Sequence, residues 1–267
     1  MPDFVGSYDE TFVVLRADTT ERLDDAYRLR YRVYCVENQF EDRRRCAGER
    51  EIDDDDGRSV HTLLVHRRSG AVVGTARLIL PCADTRRPLP VERILRPDEL
   101  ARFRQLPLGR TAEVSRFAVS KEFRRRRGER HYPDIACAER RAELDATERR
   151  VIPHVTLGLL RGILGICLDY EIAVLAAVME PPLLRILCRL GLDFEPLGPL
   201  VEHHGRRQPC VARVAELIGR SRDRASLLWQ YVEAHGGAPA ASPSFAAGEA
   251  GWSEPTSPAL SSARGFR

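Results

Sequence analysis

The chain has 267 residues, of which 43% are hydrophobic and 30% charged, with a net charge of only +3. That length and composition fit one large globular domain or two small ones, and exclude a globally basic nucleic-acid binder. The positive charge is local, at Arg43–Arg45, at Arg124, Arg125, Arg126 and Arg127, and at Arg149–Arg150, and no nucleic-acid signature accompanies it. Such patches suit phosphates or an acidic protein partner.

Seven cysteines, Cys35, Cys46, Cys82, Cys137, Cys167, Cys188 and Cys210, show no CxxC or Cys/His zinc spacing, so no metal is expected. Their odd number and apolar neighbours point to a reducing, cytoplasmic compartment. Residues 1–6 lack the basic and apolar regions of a signal peptide. The longest apolar run, from Val151 to Val178, is broken by Pro153, His154, Arg161, Asp169, Tyr170 and Glu171, which excludes a bilayer span.

Residues 1–10 read as an N-terminal extension, followed by a short strand over Thr11–Arg16. Thr19 or Thr20 caps a helix running to about Val36, with Leu23, Ala26, Tyr27, Arg30 and Tyr34 at helical spacing. Asn38 to Arg58 is polar, contains Glu51-Ile-Asp-Asp-Asp-Asp-Gly57, and is expected to be a loop outside the core. Strands follow over Ser59–His66 and Ala71–Leu80, joined by a turn at Arg68-Ser-Gly70, then a short helix over Arg93–Gln105.

The stretch Thr111–Ser120 is a strand whose alternation slips by one residue around Arg116–Phe117, the signature of a β-bulge. It feeds a cationic loop of four arginines, Arg124, Arg125, Arg126 and Arg127, ending at Gly128. A charged helix is expected over Glu129–Arg150, and an apolar helix from Pro153 through Leu168. Ile172–Val178 reads as a buried strand, and Pro181–Gly191 as a helix with proline at its start and glycine at its end. A last strand is expected from Leu192 to about His203, and mostly helix over Val211–Ala234. From Gly236 the Ala, Gly, Pro and Ser composition predicts a disordered tail. The order indicates a mixed α/β domain over about 11–235, built on one sheet.

This order, with its bulged central strand and basic loop, resembles the GNAT acyltransferase fold, a mostly antiparallel central sheet flanked by helices. Leu29-Arg-Tyr-Arg-Val-Tyr34 with Phe40, the acidic Glu51-Ile-Asp53 and Asp56, Gly74-Thr-Ala-Arg-Leu78, and Glu113-Val-Ser-Arg-Phe-Ala-Val119 resemble the ordered motifs of autoinducer synthases, which make acyl-homoserine lactones. The long-chain N-acyl amino acid synthases share the pattern. In the C-terminal half, Met179-Glu-Pro-Pro-Leu183, Gly198–Arg206 and Pro209 are instead similar to acyltransferases associated with exosortase/PEP-CTERM systems. The resemblance covers about residues 10–233. It implies transfer of an acyl group from acyl carrier protein, or from coenzyme A, to an amine such as an amino acid or related metabolite. The alternatives are a small-acyl, acetyl-CoA-dependent transferase and a catalytically silent module that captures acylated carrier protein. The donor would be an acyl-phosphopantetheine thioester, with no tightly bound cofactor. It also implies a network joining Arg30, Asp53, Asp56, Arg77, Glu113 and Arg116, with Tyr34, Phe40, Ser115 and Phe117 binding substrate or ordering the site.

An amine attacking a thioester must lose a proton, and a nearby carboxylate takes it directly or through water. Glu113 reads as that base, or as the ionic partner of Arg116 or Arg77. Glu113 and Arg116 are three positions apart, so only a bulge brings both to one face, where they are expected to act as a pair. Arg116 and Arg77 either order the acidic loop by bidentate pairing or bind a carboxylate on the acceptor. Arg124, Arg125, Arg126 and Arg127 with Gly128 meet the donor's phosphate or an acidic carrier surface, or form a merely solvated loop. Cys35 and Cys137, without a histidine partner motif, read as inert thiols rather than nucleophiles. His61 either lines the site or is packed as a structural group.

Overall fold

The computed structural model describes residues 4–82, 87–123, 147, 151–189, 191–203, 205–223 and 227–234. The expected helix over Glu129–Arg150 and the tail from Gly236 lie outside the described residues, Thr147 apart.

A first helix, α1 (Phe4–Thr11), leads into β1 (Phe12–Arg16) and α2 (Thr20–Arg30). Strands β2 (Ser59–His66) and β3 (Val72–Ile79) form a hairpin that turns through Gly70 at φ +68°. Then come α3 (Pro97–Phe103), β4 (Thr111–Val119), α4 (Thr156–Asp169), β5 (Val174–Met179) and α5 (Pro181–Arg189). Two-residue strands β6 (Glu195–Pro196) and β7 (Val201–Glu202) precede β8 (Arg206–Arg213), α6 (Val214–Asp223) and α7 (Leu227–Ala234).

The strands lie in the order β1-β2-β3-β4-β5-β8-β6, with β7 also paired to β8. Every pairing is antiparallel except β4 with β5. This is the mixed, mostly antiparallel sheet expected of a GNAT-like fold. Alternation fixes its faces. On β2, Thr62 and Leu64 turn toward α4, whereas His61 and Leu63 turn toward α2. The α4 side carries the main core, where Leu64, Ala76, Leu78, Leu157, Leu159, Ile163 and Leu175 pack together. Glycine permits the close approach of α4: a Cβ at Gly162 would stand 2.1 Å from Thr62 Oγ1. The α2 side carries three small apolar clusters, Ala17–Ala26–Leu63, Leu29–Val33–Ala118 and Ile79–Leu89–Val91–Phe103–Ala176, beside a polar zone.

The C-terminal strand differs from expectation. The segment after Leu192 supplies only β6 and β7, and the long strand is Arg206–Arg213, so helix starts at Val214 rather than Val211. Pro209, which discourages a strand reading, sits between the β7 pairing at Arg206–Arg207 and the β6 pairing at Cys210–Val211.

Candidate functional site

Thr19 caps α2 by accepting the Arg22 N–H at 3.3 Å. The helix does not run on to Val36 as regular α-helix. At Tyr31–Glu37 it widens into a π-helical turn, closed by the Asn38 N–H and Nδ2, both donating to the Val33 carbonyl at 3.2 and 2.6 Å. Such widened turns recur at functional sites because they re-aim side chains and free carbonyls. Here the Tyr34 carbonyl accepts the Phe40 N–H at 2.8 Å, which ties the aromatic loop residue to the helix end.

Arg30, fully buried beneath α2, donates Nε to Glu51 at 2.6 Å and a bidentate pair of bonds to Asp56 at 2.6 and 3.0 Å. Arg77 on β3 donates Nη1 to Asp53 at 2.5 Å and to Asp56 at 2.8 Å, while its Nε reaches Ser115 Oγ at 3.0 Å. Arg116 on β4 donates Nη2 to Glu51 at 2.9 Å and pairs with Asp53 at 3.0 Å. The acidic loop is therefore not solvated as expected: Glu51 and Asp56 are buried and Asp53 half-buried, because three arginines from three distant elements draw them in. Asp54 stays exposed, and Asp55 pairs with Arg58 at 2.6 Å outside this cluster.

The energetics follow from the partners. Burial acts to raise the Asp56 pKa, but the His61 ring 3.4 Å away, the Arg30 hydrogen bonds and the charges of Arg30 and Arg77 outweigh it, holding the carboxyl far below the carboxylate range. The same contest, won by Arg30 and Arg116, lowers Glu51, and Arg77 with Arg116 lowers Asp53. Burial opposes the Arg30 charge, yet Asp56 and Glu51 fix it as a cation. Glu51 is the member that the motif contained but that sequence reasoning did not single out for a role.

The bulge lies where the alternation slips. Thr75 pairs with Ala118 and Arg77 with Ser115, so Arg116 and Phe117 together oppose Ala76. Arg116 takes φ +48°, a left-handed conformation that turns its side chain to the α2 face. Its guanidinium carbon stands 5.5 Å from the centre of the Tyr34 ring, the Tyr34 hydroxyl donates to the Phe117 carbonyl at 3.3 Å, and Phe40 lies 6.5 Å from Tyr34. Beyond the bulge the sheet opens: β4 pairs with β5 only over Thr111–Val114 and Val174–Ala177.

Glu113 lies on the same face, as its pairing opposite Ile79 requires. It is a different environment. The side chain is 3% exposed, and Oε2 accepts the Val91 N–H at 2.8 Å. Burial pushes its pKa up to about 7, against the smaller opposing effects of the Val91 N–H and the Arg77 charge. Glu113 thus makes no ion pair with Arg77 or Arg116, which removes the partner role weighed for it. It shares the face with Arg116 but no contact.

The remaining candidates sort cleanly. His61 is wholly buried, its Nε2 3.4 Å from Asp56 Oδ1, and neither ring nitrogen has a well-formed hydrogen bond. Burial lowers its pKa, so it is a neutral member of the cluster. Burial, with the hydrogen bond to Cys46, pushes the Cys35 thiol up to about 12, which disqualifies it as a thiolate nucleophile. The basic-loop residues Arg124, Arg125, Arg126, Arg127 and Gly128 lie outside the described residues, as does Cys137. Among the described residues no group of three or more His, Cys, Asp or Glu is placed to hold a metal, and no helix is long and apolar enough to cross a membrane. A cavity of about 250 Å³ lies on the opposite side of the sheet, lined by residues such as Val14, Thr62, Leu164 and Ile218, away from the ionic cluster.

A mostly antiparallel sheet that parts between two parallel strands, bulged on the first of them, defines an acyltransferase fold of the GNAT class. Residues 29–132 match the family described as acetyltransferase (GNAT) domain, and that span holds Arg30, the acidic loop, Arg77, Glu113 and Arg116. Among solved structures, the fold is similar to BjaI, a CoA-dependent acyl-homoserine lactone synthase solved with SAM and isopentyl-CoA, with a TM-score of 0.54 and 21% identity over 81% of this chain and 90% of that one. It is similar to FeeM, an N-acyl amino acid synthase from uncultured soil microbes, with a TM-score of 0.52 and 20% identity over 82% and 96% of the two chains. It is also similar to TofI, solved with an inhibitor and MTA, with a TM-score of 0.52 and 20% identity over 79% and 96%. No curated protein matches the sequence. The architecture is GNAT-like, and residues 29–132 are the part of the chain that matches that family.

Proposed function

We propose that this protein is an N-acyltransferase that moves a fatty acyl group from a phosphopantetheine thioester to an amine. The donor is acyl carrier protein, with acyl-CoA as the alternative. The observation that carries the reading is Glu113, a buried carboxyl with a pKa raised to about 7, on the strand whose bulge opens the sheet. A base poised near the working pH is what amine deprotonation needs.

In this reading the thioester arm enters where β4 and β5 part. The neutral amine nitrogen attacks the thioester carbonyl carbon, and its proton passes to Glu113, directly or through water. Backbone N–H groups at the Arg116–Phe117 bulge meet the developing oxyanion. The C–S bond then breaks, the amide is released, and the proton goes to the departing thiolate. Arg30, Arg77 and Arg116 hold the acidic loop and the strand in register rather than touching the reacting atoms. Arg124, Arg125, Arg126, Arg127 and Gly128 receive the donor phosphate or carrier surface, a role that rests on resemblance.

The test is transfer from matched acyl carrier protein and acyl-CoA donors to a panel of amines, followed by mass spectrometry. Amide formed in step with free thiol is expected. No amide from either donor would sink the reading, and amide from acetyl-CoA alone would replace the fatty acyl donor with a small one.

A further inference from the structure

The ionic cluster carries no surplus positive charge. Arg30, Arg77 and Arg116 face Glu51, Asp53 and Asp56, and Glu41 adds a fourth carboxylate 3.7 Å from Arg116. A balanced cluster of this kind does not attract a further anion, so the second role weighed for Arg77 and Arg116, binding an acceptor carboxylate, has no charge to serve it.

Arg207 is different. Glu113 pairs with Ala176, Ala176 pairs with Val211, and Arg207 lies two alternations from Val211 on β8. Arg207 therefore projects from the same face as Glu113, on the far side of the opening between β4 and β5. Its guanidinium carbon is 6.0 Å from the centre of the Phe40 ring, so Arg116 and Arg207 bracket the Tyr34–Phe40 aromatic pair. The Arg207 Nε is buried and has no hydrogen-bond partner among the described residues. Its Nη2 stands 3.5 Å from Glu180 Oε1, whose side chain is 52% exposed. A half-exposed pair of that length contributes little and yields readily. A buried guanidinium N–H left without an acceptor, beside an edge that yields readily, is built for a planar anion taken by Nε and Nη2 together.

We propose that Arg207 binds the carboxylate of the acceptor, so that the protein selects amines that carry one. The proposal rests on the acyl-transfer reading above and narrows its acceptor class. The Nε–Nη edge matches a carboxylate in two parallel hydrogen bonds, and the Phe40 ring supplies the apolar wall beside it. A phosphate on the donor arm offers a similar anion and is a separate arm of the test.

The test is calorimetric binding to the full-length protein, which needs no turnover. The probes are N-dodecanoylglycine and N-dodecanoylmethylamine, which differ only by the carboxylate, and dephospho- and phospho-pantetheine. The wild type is expected to bind the carboxylated amide tighter by on the order of ten- to a hundredfold, the worth of a charge-assisted pair. Arg207→Gln should erase that difference, and Arg207→Lys, which keeps the charge without the fork, should keep a fraction of it. Equal affinity for the two amides, including no binding of either, overturns the proposal. So does a preference that survives in both folded variants, or a loss confined to phosphopantetheine. Transfer to uncharged amines, measured alongside, keeps the acyl-transfer reading standing even where Arg207 fails.

Discussion

Two sets of carboxylates share one face of the sheet and behave in opposite ways. Glu51 and Asp56, buried, and Asp53, half-buried, lie among three guanidiniums and are held below their ordinary range. Glu113 is buried on the same side with one backbone N–H as partner, and is pushed up to about 7. Burial is common to both, so burial alone does not set the charge. The number of fixed cations within hydrogen-bond reach does. The first set is a clasp that ties α2, the acidic loop, β3 and β4 together. The second is a group able to exchange a proton near neutral pH.

The sharpest way to break this comparison is to neutralise Glu113. Glu113→Gln keeps the shape and an oxygen able to accept the Val91 N–H, but cannot take a proton. The expected loss in kcat is on the order of 10²–10⁴, with little change in KM, as for a positioned acid–base group. Single-turnover rates on a variant with normal thermal unfolding read this directly. A folded Glu113→Gln protein with the wild-type rate would return Glu113 to a structural role.

The clasp is tested by Arg30→Met, which keeps much of the buried volume and strips Glu51 and Asp56 of their shared cation. Glu51 keeps Arg116 and Asp56 keeps Arg77, but removing one partner of a buried ionic pair costs about 3–5 kcal/mol. Urea unfolding should therefore show a large drop in midpoint at an unchanged slope. A drop below about 1 kcal/mol would mean that the cluster orders the loop without stabilising the fold.

These two environments were unequally legible in the sequence. The bulge announced itself because a strand's side-chain period is two, and Arg116–Phe117 breaks it. Thr19, Pro181 and Gly191 marked helix ends through local chemistry. The burial of the acidic loop was hidden, since four consecutive aspartates look solvated until Arg30, Arg77 and Arg116 arrive from elsewhere in the chain. β8 was hidden for a related reason. Arg206-Arg-Gln-Pro carries no strand pattern, and pairing with β7 and β5 forms it. The isolation of Glu113 from both arginines was also beyond sequence, because it depends on the Leu89–Val91 turn closing over Ile79 and Ala176.

The smallest effect is the most discriminating, because the two sets of carboxylates shift stability in opposite pH windows. Glu51, Asp53 and Asp56 have lowered pKa values in the folded protein. Their contribution is present above about pH 4, the unfolded range, and is lost as pH falls below it. Glu113 runs the other way. Its folded pKa of about 7 exceeds the ordinary value of 4.5, so between these values the folded chain holds a proton that the unfolded chain has released. Stability from this group is complete below pH 4.5, and is lost as pH rises through about 7. The shift sets an upper limit of about 3 kcal/mol on that loss, at roughly 1.4 kcal/mol per unit. Glu113→Gln carries no charge at any of these pH values and so escapes the alkaline loss while keeping the acid one. Urea midpoints at pH 5 and pH 8.5 are expected to separate the two proteins far more at the higher pH, with the variant gaining in relative stability as pH rises. Parallel curves for the two proteins would show Glu113 already ionised in the folded state, and the contrast between the clasp and the proton-exchanging carboxyl would collapse.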